Sequence, residues 1–239
     1  MRWAQRIAAR SHVADPSVMA LSIGCESAIR QRLPTSHDPE VSMSLVIDAA
    51  AQSILFRDAR TANSFTDEPV TDEQVRAIYD LVKFAPTSMN QQPLRAVLIR
   101  SEEARERLVR HMAEGNQAKT ATAPLTVILA ADYEFHRELP TLFPRFPQAK
   151  DVFFAEREGR VESARFNAAL QVGYFILGVR AAGLAAGPMT GFDAQGIDKE
   201  FFPDGEHGVL AVVNVGKPGE NAWLQRLPRL AYDEVFTTE

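Results

Sequence analysis

Ala85-Pro86-Thr87-Ser88-Met89-Asn90-Gln91-Gln92-Pro93 separates a helical pattern from a strand pattern and is fenced by two prolines. A proline ring fixes φ, removes an amide donor and pushes the residue before it toward extended backbone. Neither neighbouring element can therefore run through the segment. Upstream, Thr71-Asp72-Glu73-Gln74 is a capping box, followed by Val75, Ile78, Tyr79 and Val82 on one helical face. That spacing predicts a helix ending at Ala85. Downstream, Ala96-Val97-Leu98-Ile99 predicts a short strand. Between the prolines lie two hydroxyls and three carboxamides, a mixture of donors and acceptors that suits a planar heterocycle. The same residues also suit a plain polar connection from helix to strand.

Working outward, a helix is expected from Ser44 to about Phe56, and residues 57–65 break its pattern. Ser101 is placed to cap a charged surface helix through Met112. Leu125–Ala131 is continuously apolar, which predicts a central strand buried on both faces. Residues 132–158 interleave Pro140, Pro144 and Pro147 with Phe143, Phe146, Phe153 and Phe154. Such a run is either a lid or partner surface, or a loop pinned by its own small cluster. A long helix follows from Arg160 to Ala182. Its second half is apolar all round, which implies burial on every side, in part by a second subunit. Gly187-Pro188-Met189-Thr190-Gly191-Phe192-Asp193 reads as a tight turn, with a short helix to Phe202 and a buried strand at Val209–Val215 beyond it.

The chain has 239 residues, of which 46% are apolar, enough for one large domain or two small ones. A net charge of −5 argues against a nucleic-acid surface, and no apolar run approaches the ~20 residues a membrane helix needs. With Cys25 as its only cysteine, no internal disulfide can form, and a reducing cytoplasm is the expected compartment. His111 and Glu114, three apart, fit a solvated helix face better than a metal site. No phosphate-binding or dinucleotide glycine motif is present. Residues 1–42 are arginine-rich and aperiodic, so a loosely ordered extension is expected there, with the folded domain spanning 43–239. Met43 is the expected natural start.

Three segments, Arg60-Thr61-Ala62-Asn63-Ser64-Phe65, Pro86–Pro93 and Gly187–Asp193, resemble in order and spacing the flavin-dependent nitroreductase family. The resemblance covers about residues 44–239. Gly115–Thr120, Ala123-Pro124, Glu134-Phe135 and Leu139–Pro144 look in addition like its malonic semialdehyde reductase branch, which serves pyrimidine catabolism. It implies an α+β fold with a mostly antiparallel central sheet wrapped by helices, in an intertwined homodimer holding two FMN at its interface.

By the same resemblance, Arg60, Thr61 and Arg229 hold the FMN phosphate, a match of guanidinium to phosphate that is chemically sound. Pro86, Thr87, Ser88 and Asn90 surround the ribityl chain and ring edge, against the partner subunit. Pro188, Met189, Thr190 and Gly191 stack on the ring and aim amides at it. Two departures stand out: Ala59 replaces an arginine, and Asn63 replaces a cation beside the pyrimidine edge. A carboxamide still donates there but cannot offset the charge of a reduced flavin.

The implied reaction is hydride transfer from NADH or NADPH to malonic semialdehyde, giving 3-hydroxypropionate. Lys119 or Arg145 would grip the substrate carboxylate. The alternatives are a general NAD(P)H nitroreductase or quinone reductase, and a flavin-binding protein without catalysis.

Overall fold

The computed structural model describes residues 45–239. The expected loose extension over 1–42, and the start at Met43, lie outside the described residues.

A short helix, α1 (Ala49–Gln52), is capped by Asp48, whose carboxylate accepts from the Ala51 amide at 2.8 Å. It widens at once into a π-turn over Ser53–Arg57, so the single helix expected to Phe56 is two kinds of turn. Next comes α2 (Asp72–Val82) with both capping-box bonds formed, at 3.2 Å from the Gln74 amide to Thr71 and 2.9 Å in return. Strand β1 (Leu94–Ile99) follows, then α3 (Glu102–Val109), α4 (Glu114–Thr122) and β2 (Leu125–Asp132). Short turns α5 (Leu139–Leu142) and α6 (Ala149–Val152) lead into the long α7 (Arg157–Ala181). The chain continues with β3 (Ala185–Met189), α8 (Ala194–Phe201), β4 (His207–Gly216) and α9 (Tyr232–Val235).

The four strands form one antiparallel sheet in the order β1-β2-β4-β3. All eight residues of β2 are buried, as a two-sided central strand requires. Leu125, Val127 and Leu129 face one layer with Val213, Val215, Ile78 and Val179, under α2 and α7. Ile128 and Ala130 face the other with Val212, Met189, Leu108 and Ile197, under α3 and α8. A bulge at Leu129/Ala130 leaves Leu210 unmatched, because Leu129 pairs with Ala211 and Ala130 with Val209. The extra residue switches the phase of β4, so Val209 points into the second layer. Helices α2 and α7 cross closely at Gly178, where a Cβ would stand 2.3 Å from a Val82 methyl.

Two expectations are corrected. Gly187–Asp193 is not a free turn: Ala185–Met189 is an edge strand whose Pro188 sits opposite Val213. Edge position makes that proline tolerable, since its missing amide interrupts no inner ladder. The helix expected through Met112 stops at Val109, and α4 is a further helix over a stretch where no element was expected.

Residues 132–158 are pinned by a third apolar cluster of Phe135, Leu139, Ala149 and Phe154 against Ala164 and Ala168 of α7. The cluster expected of a pinned loop is thus present, while Phe146 and Phe153 of the same run stay exposed. On α7, Phe166, Leu170 and Tyr174 recur every four residues and stay exposed in the single chain, at 66%, 42% and 42%.

Candidate flavin site and family

The first segment is tied to the sheet edge. The Ala62 amide donates to Ala186 O at 3.0 Å, and the Asn63 amide donates to Ala222 O at 3.0 Å. Residues 60–63 therefore lie alongside β3, between it and the start of the C-terminal tail. Asn63 turns its own amide group toward Thr61 O at 3.3 Å.

Behind β3 the backbone of residues 190–193 is bonded to the connection between α3 and α4. Gly191 O accepts from the Ala113 amide at 3.0 Å and from Asn116 Nδ2 at 2.9 Å, while the Asp193 amide donates to His111 O at 2.7 Å. Thr190 and Gly191 remain exposed, so their position is fixed and their outward surface open. Lys119 stands on this same helix α4. Its carbonyl accepts from Asn214 Nδ2 at 3.1 Å, and the following Thr120 reaches Met189 Sδ at 3.9 Å.

A cavity of about 250 Å³ opens beside the first segment, lined by Arg60 and Arg180 together with Asp58, Ala59, Ala185 and Trp223. Arg60 donates to Leu224 O at 3.3 Å and Arg180 to Leu55 O at 3.2 Å. Burial and the neighbouring Arg226 cation both pull Arg180 below the usual arginine pKa. Among the described residues none of these three guanidinia makes an ion pair. Such a group of cations, partly desolvated and joined only to carbonyls, is suited to an added anion.

Arg229, the tail arginine singled out from the sequence, bonds only Leu227 O and Pro228 O, at 2.9 and 3.1 Å. Arg226 instead reaches back to Arg57 O and Ala59 O, next to Arg60. Sequence reasoning missed it, because two exposed arginines three apart in a tail carry equal signals.

Pro86–Gln92 belongs to a different neighbourhood. The Ser88 amide donates to Asn167 of α7 at 2.8 Å, and Asn90 Nδ2 donates to Leu142 O at 2.9 Å. Met89, Asn90 and Gln92 all have positive φ, at 49°, 53° and 45°. No hydrogen bond or ion pair among the described residues joins this loop to Arg60–Asn63 or to 187–191. One chain thus carries two separate groups of candidate residues. Arg145 is in neither; it lies over its own neighbour Phe143, 5.2 Å from the ring.

The model of the Nitroreductase family matches residues 57–217, which contain all three segments. A protein of Streptomyces griseus, provisionally named NADH dehydrogenase/NAD(P)H nitroreductase, is 71% identical over 196 residues, covering 82% of this chain and 100% of that protein. Among solved structures, a provisionally named nitroreductase from Bacillus subtilis superposes with a TM-score of 0.73 at 22% identity, over 80% of this chain and 100% of its own. Another from Exiguobacterium sibiricum, solved in complex with FMN, gives 0.72 at 18% identity over 82% and 99%. From the match over residues 57–217 and the identity along nearly the whole described length, the chain belongs to the nitroreductase family.

Proposed function

We propose that this protein is an FMN-dependent oxidoreductase that takes hydride from NADH or NADPH and passes it to nitroaromatic or quinone acceptors, working as a homodimer in the cytoplasm. The observation that carries the proposal is the seam between Ala62 and Ala186, which sets Arg60, Thr61 and Asn63 alongside β3, the strand that leads into the exposed Thr190 and Gly191. The FMN in the related Exiguobacterium structure and the NAD(P)H in the Streptomyces relative's name supply the cofactor and the hydride source.

The residues present fit FMN. Arg60, Arg180 and Arg226 would hold a phosphate, because Arg60 and Arg180 line one cavity, Arg226 bonds the backbone at Arg57 and Ala59 beside it, and none of the three makes an ion pair among the described residues. Met189, Thr190 and Gly191 would lie against the ring, with the Thr190 and Gly191 amides placed to donate where negative charge develops. Asn63 can donate to the ring edge. Lys119, on the helix bonded to Gly191, would supply the cation that position 63 lacks. Pro86, Thr87, Ser88 and Asn90 would complete the site from the other subunit, since no bond among the described residues joins them to the first group. FMN, when bound, supplies hydride exchange at its ring, so no side chain has to act as nucleophile.

Dimerisation is supported by the exposed Phe166-Leu170-Tyr174 stripe and by an apolar recess of about 430 Å³ between α2, the β1 edge and α7. The tail also leaves Leu224, Leu227, Leu230 and Phe236 exposed in the single chain. Surfaces of this kind are ordinarily covered by a partner.

The narrower acceptor, malonic semialdehyde, is not favoured. The relatives' names point to nitro compounds, and of the two cations expected to grip the carboxylate Arg145 has no bond among the described residues to either group of candidate residues. Purified protein should be yellow and should bleach anaerobically with NADH or NADPH. Stopped-flow reoxidation should then be faster with a nitroaromatic or a quinone than with the aldehyde. Colourless protein that takes up no added FMN would refute the cofactor, and fastest reoxidation by the aldehyde would restore the narrower substrate.

The two tail arginines give a second test. Arg226→Ala should cost about 1.5–3 kcal/mol of FMN binding through loss of a charge-assisted contact. Arg229→Ala should cost less. Equilibrium dialysis of both variants decides, and the reverse order would hand the phosphate to Arg229.

A further inference from the structure

Three residues without a glycine's freedom, Met89, Asn90 and Gln92, sit in the left-handed region within one short loop. Each is costly there and persists only where the surroundings over-determine it. The surroundings that do so lie on α7. Asn167, 3% exposed, accepts the Ser88 amide on Oδ1 at 2.8 Å. Its Nδ2 donates to Gln91 Oε1 at 3.1 Å and to Ser163 O at 2.9 Å. The Ser163 hydroxyl donates to the same Gln91 oxygen at 3.0 Å.

Gln91 is 1% exposed, and its Nε2 finds no partner. A buried amide donor left unmet is unfavourable. Two donors from α7 converge on its oxygen and so dictate which way its carboxamide faces. The loop is held at its Ser88 end and its Gln91 end by one side chain.

We propose that Asn167 is a positioning residue for the cofactor: from inside α7 it holds the Pro86–Gln92 loop in the left-handed shape that presents Pro86, Thr87, Ser88 and Asn90 to FMN. This rests on the FMN assignment above. Asn167 itself does not touch the cofactor; it acts through the Ser88 amide and Gln91.

Two substitutions separate this role from a general contribution to the fold. Asn167→Leu keeps the branched shape but strands the Ser88 amide and removes one of the two donors to the Gln91 oxygen. Asn167→Asp keeps the acceptor for Ser88 and, once the Gln91 amide turns over, accepts from the idle Nε2. It also buries an ionisable group, so it should be the less stable protein of the two in urea. Flavin affinity should run the other way. FMN titration of the flavin-stripped full-length protein should show roughly tenfold or greater weakening for Asn167→Leu, and under about threefold for Asn167→Asp.

Amide hydrogen exchange at Ser88–Gln92 without FMN gives a readout independent of the cofactor. It should accelerate in Asn167→Leu and stay near wild type in Asn167→Asp. Affinity that simply follows stability, with Asp worse than Leu, overturns the proposal. So does unchanged exchange over the loop in Asn167→Leu. If wild-type protein takes up no FMN, the cofactor assignment fails, and the exchange result alone decides whether Asn167 clamps the loop.

Discussion

Gly187→Ala is expected to give a folded protein that has lost most of its flavin-dependent activity. A Cβ at Gly187 would stand 2.6 Å from the Ala62 carbonyl oxygen and 3.4 Å from the Phe65 ring. The first of these is backbone, so no side chain can swing aside. Either β3 or residues 61–63 must move, and the two are tied by the bond from the Ala62 amide to Ala186 O. Overpacking of this kind costs about 1–3 kcal/mol, which the layered core can absorb. Displacing Arg60 and Asn63 by about 1 Å is more serious for function, since a misplacement of that size costs roughly 10²-fold in rate. Gly115→Ala is the control, because nothing lies within 4 Å of a Cβ there. Urea denaturation and NADH-dependent reduction of a quinone, measured on both variants, decide the matter. Wild-type turnover in Gly187→Ala would mean that the seam does not shape the site.

The parts legible in the sequence are those where a local signal and the tertiary contact coincide. Thr71 and Gln74 form the capping box that their spacing demands, and β2 is buried along its whole length, as an unbroken apolar run predicts. The parts that were not legible had their signal supplied by distant residues. In β3, Gly187 and Pro188 are turn formers, and only pairing with β4 makes the stretch a strand. In α4, Glu114–Thr122 lacks an apolar stripe and a side-chain cap, yet Asn116 and Lys119 are held by Gly191 and Asn214. The candidate site divides in the same way. Its loops could be found from their unusual stock of hydrogen-bonding groups. Arg226 and Asn167 could not, because an arginine in a tail and an asparagine on a helix acquire meaning only from what they touch.

Glu134→Ala is expected to be the most destabilising of these substitutions, at about 3–5 kcal/mol, because it leaves the buried Arg160 without its carboxylate partner. The Glu134 side chain is 10% exposed and lies 3.0 Å from Arg160, itself only 12% exposed, with Arg157 and Arg137 both at 3.3 Å. Burial pushes the Glu134 carboxyl up. The Arg160 bond and charge, aided by His136 and Arg137, outweigh that and leave it below the ordinary glutamate value. A carboxyl depressed by folding stabilises fully above its unfolded pKa, and that contribution is lost as pH falls through the folded value. The gap in stability between wild type and Glu134→Ala should therefore be widest near neutral pH and should close on acidification. Glu134→Gln should lie between them, keeping an acceptor without the charge. The damage should spread to the site, because Leu142, whose carbonyl anchors Asn90, follows Leu139 of the same cluster. Urea denaturation across pH, with FMN titration alongside, tests both halves. A gap that is constant with pH would show that Glu134 stabilises by packing rather than by charge. Unchanged FMN affinity would show that the Asn90–Leu142 bond does not govern the loop, leaving Asn167 as its principal anchor.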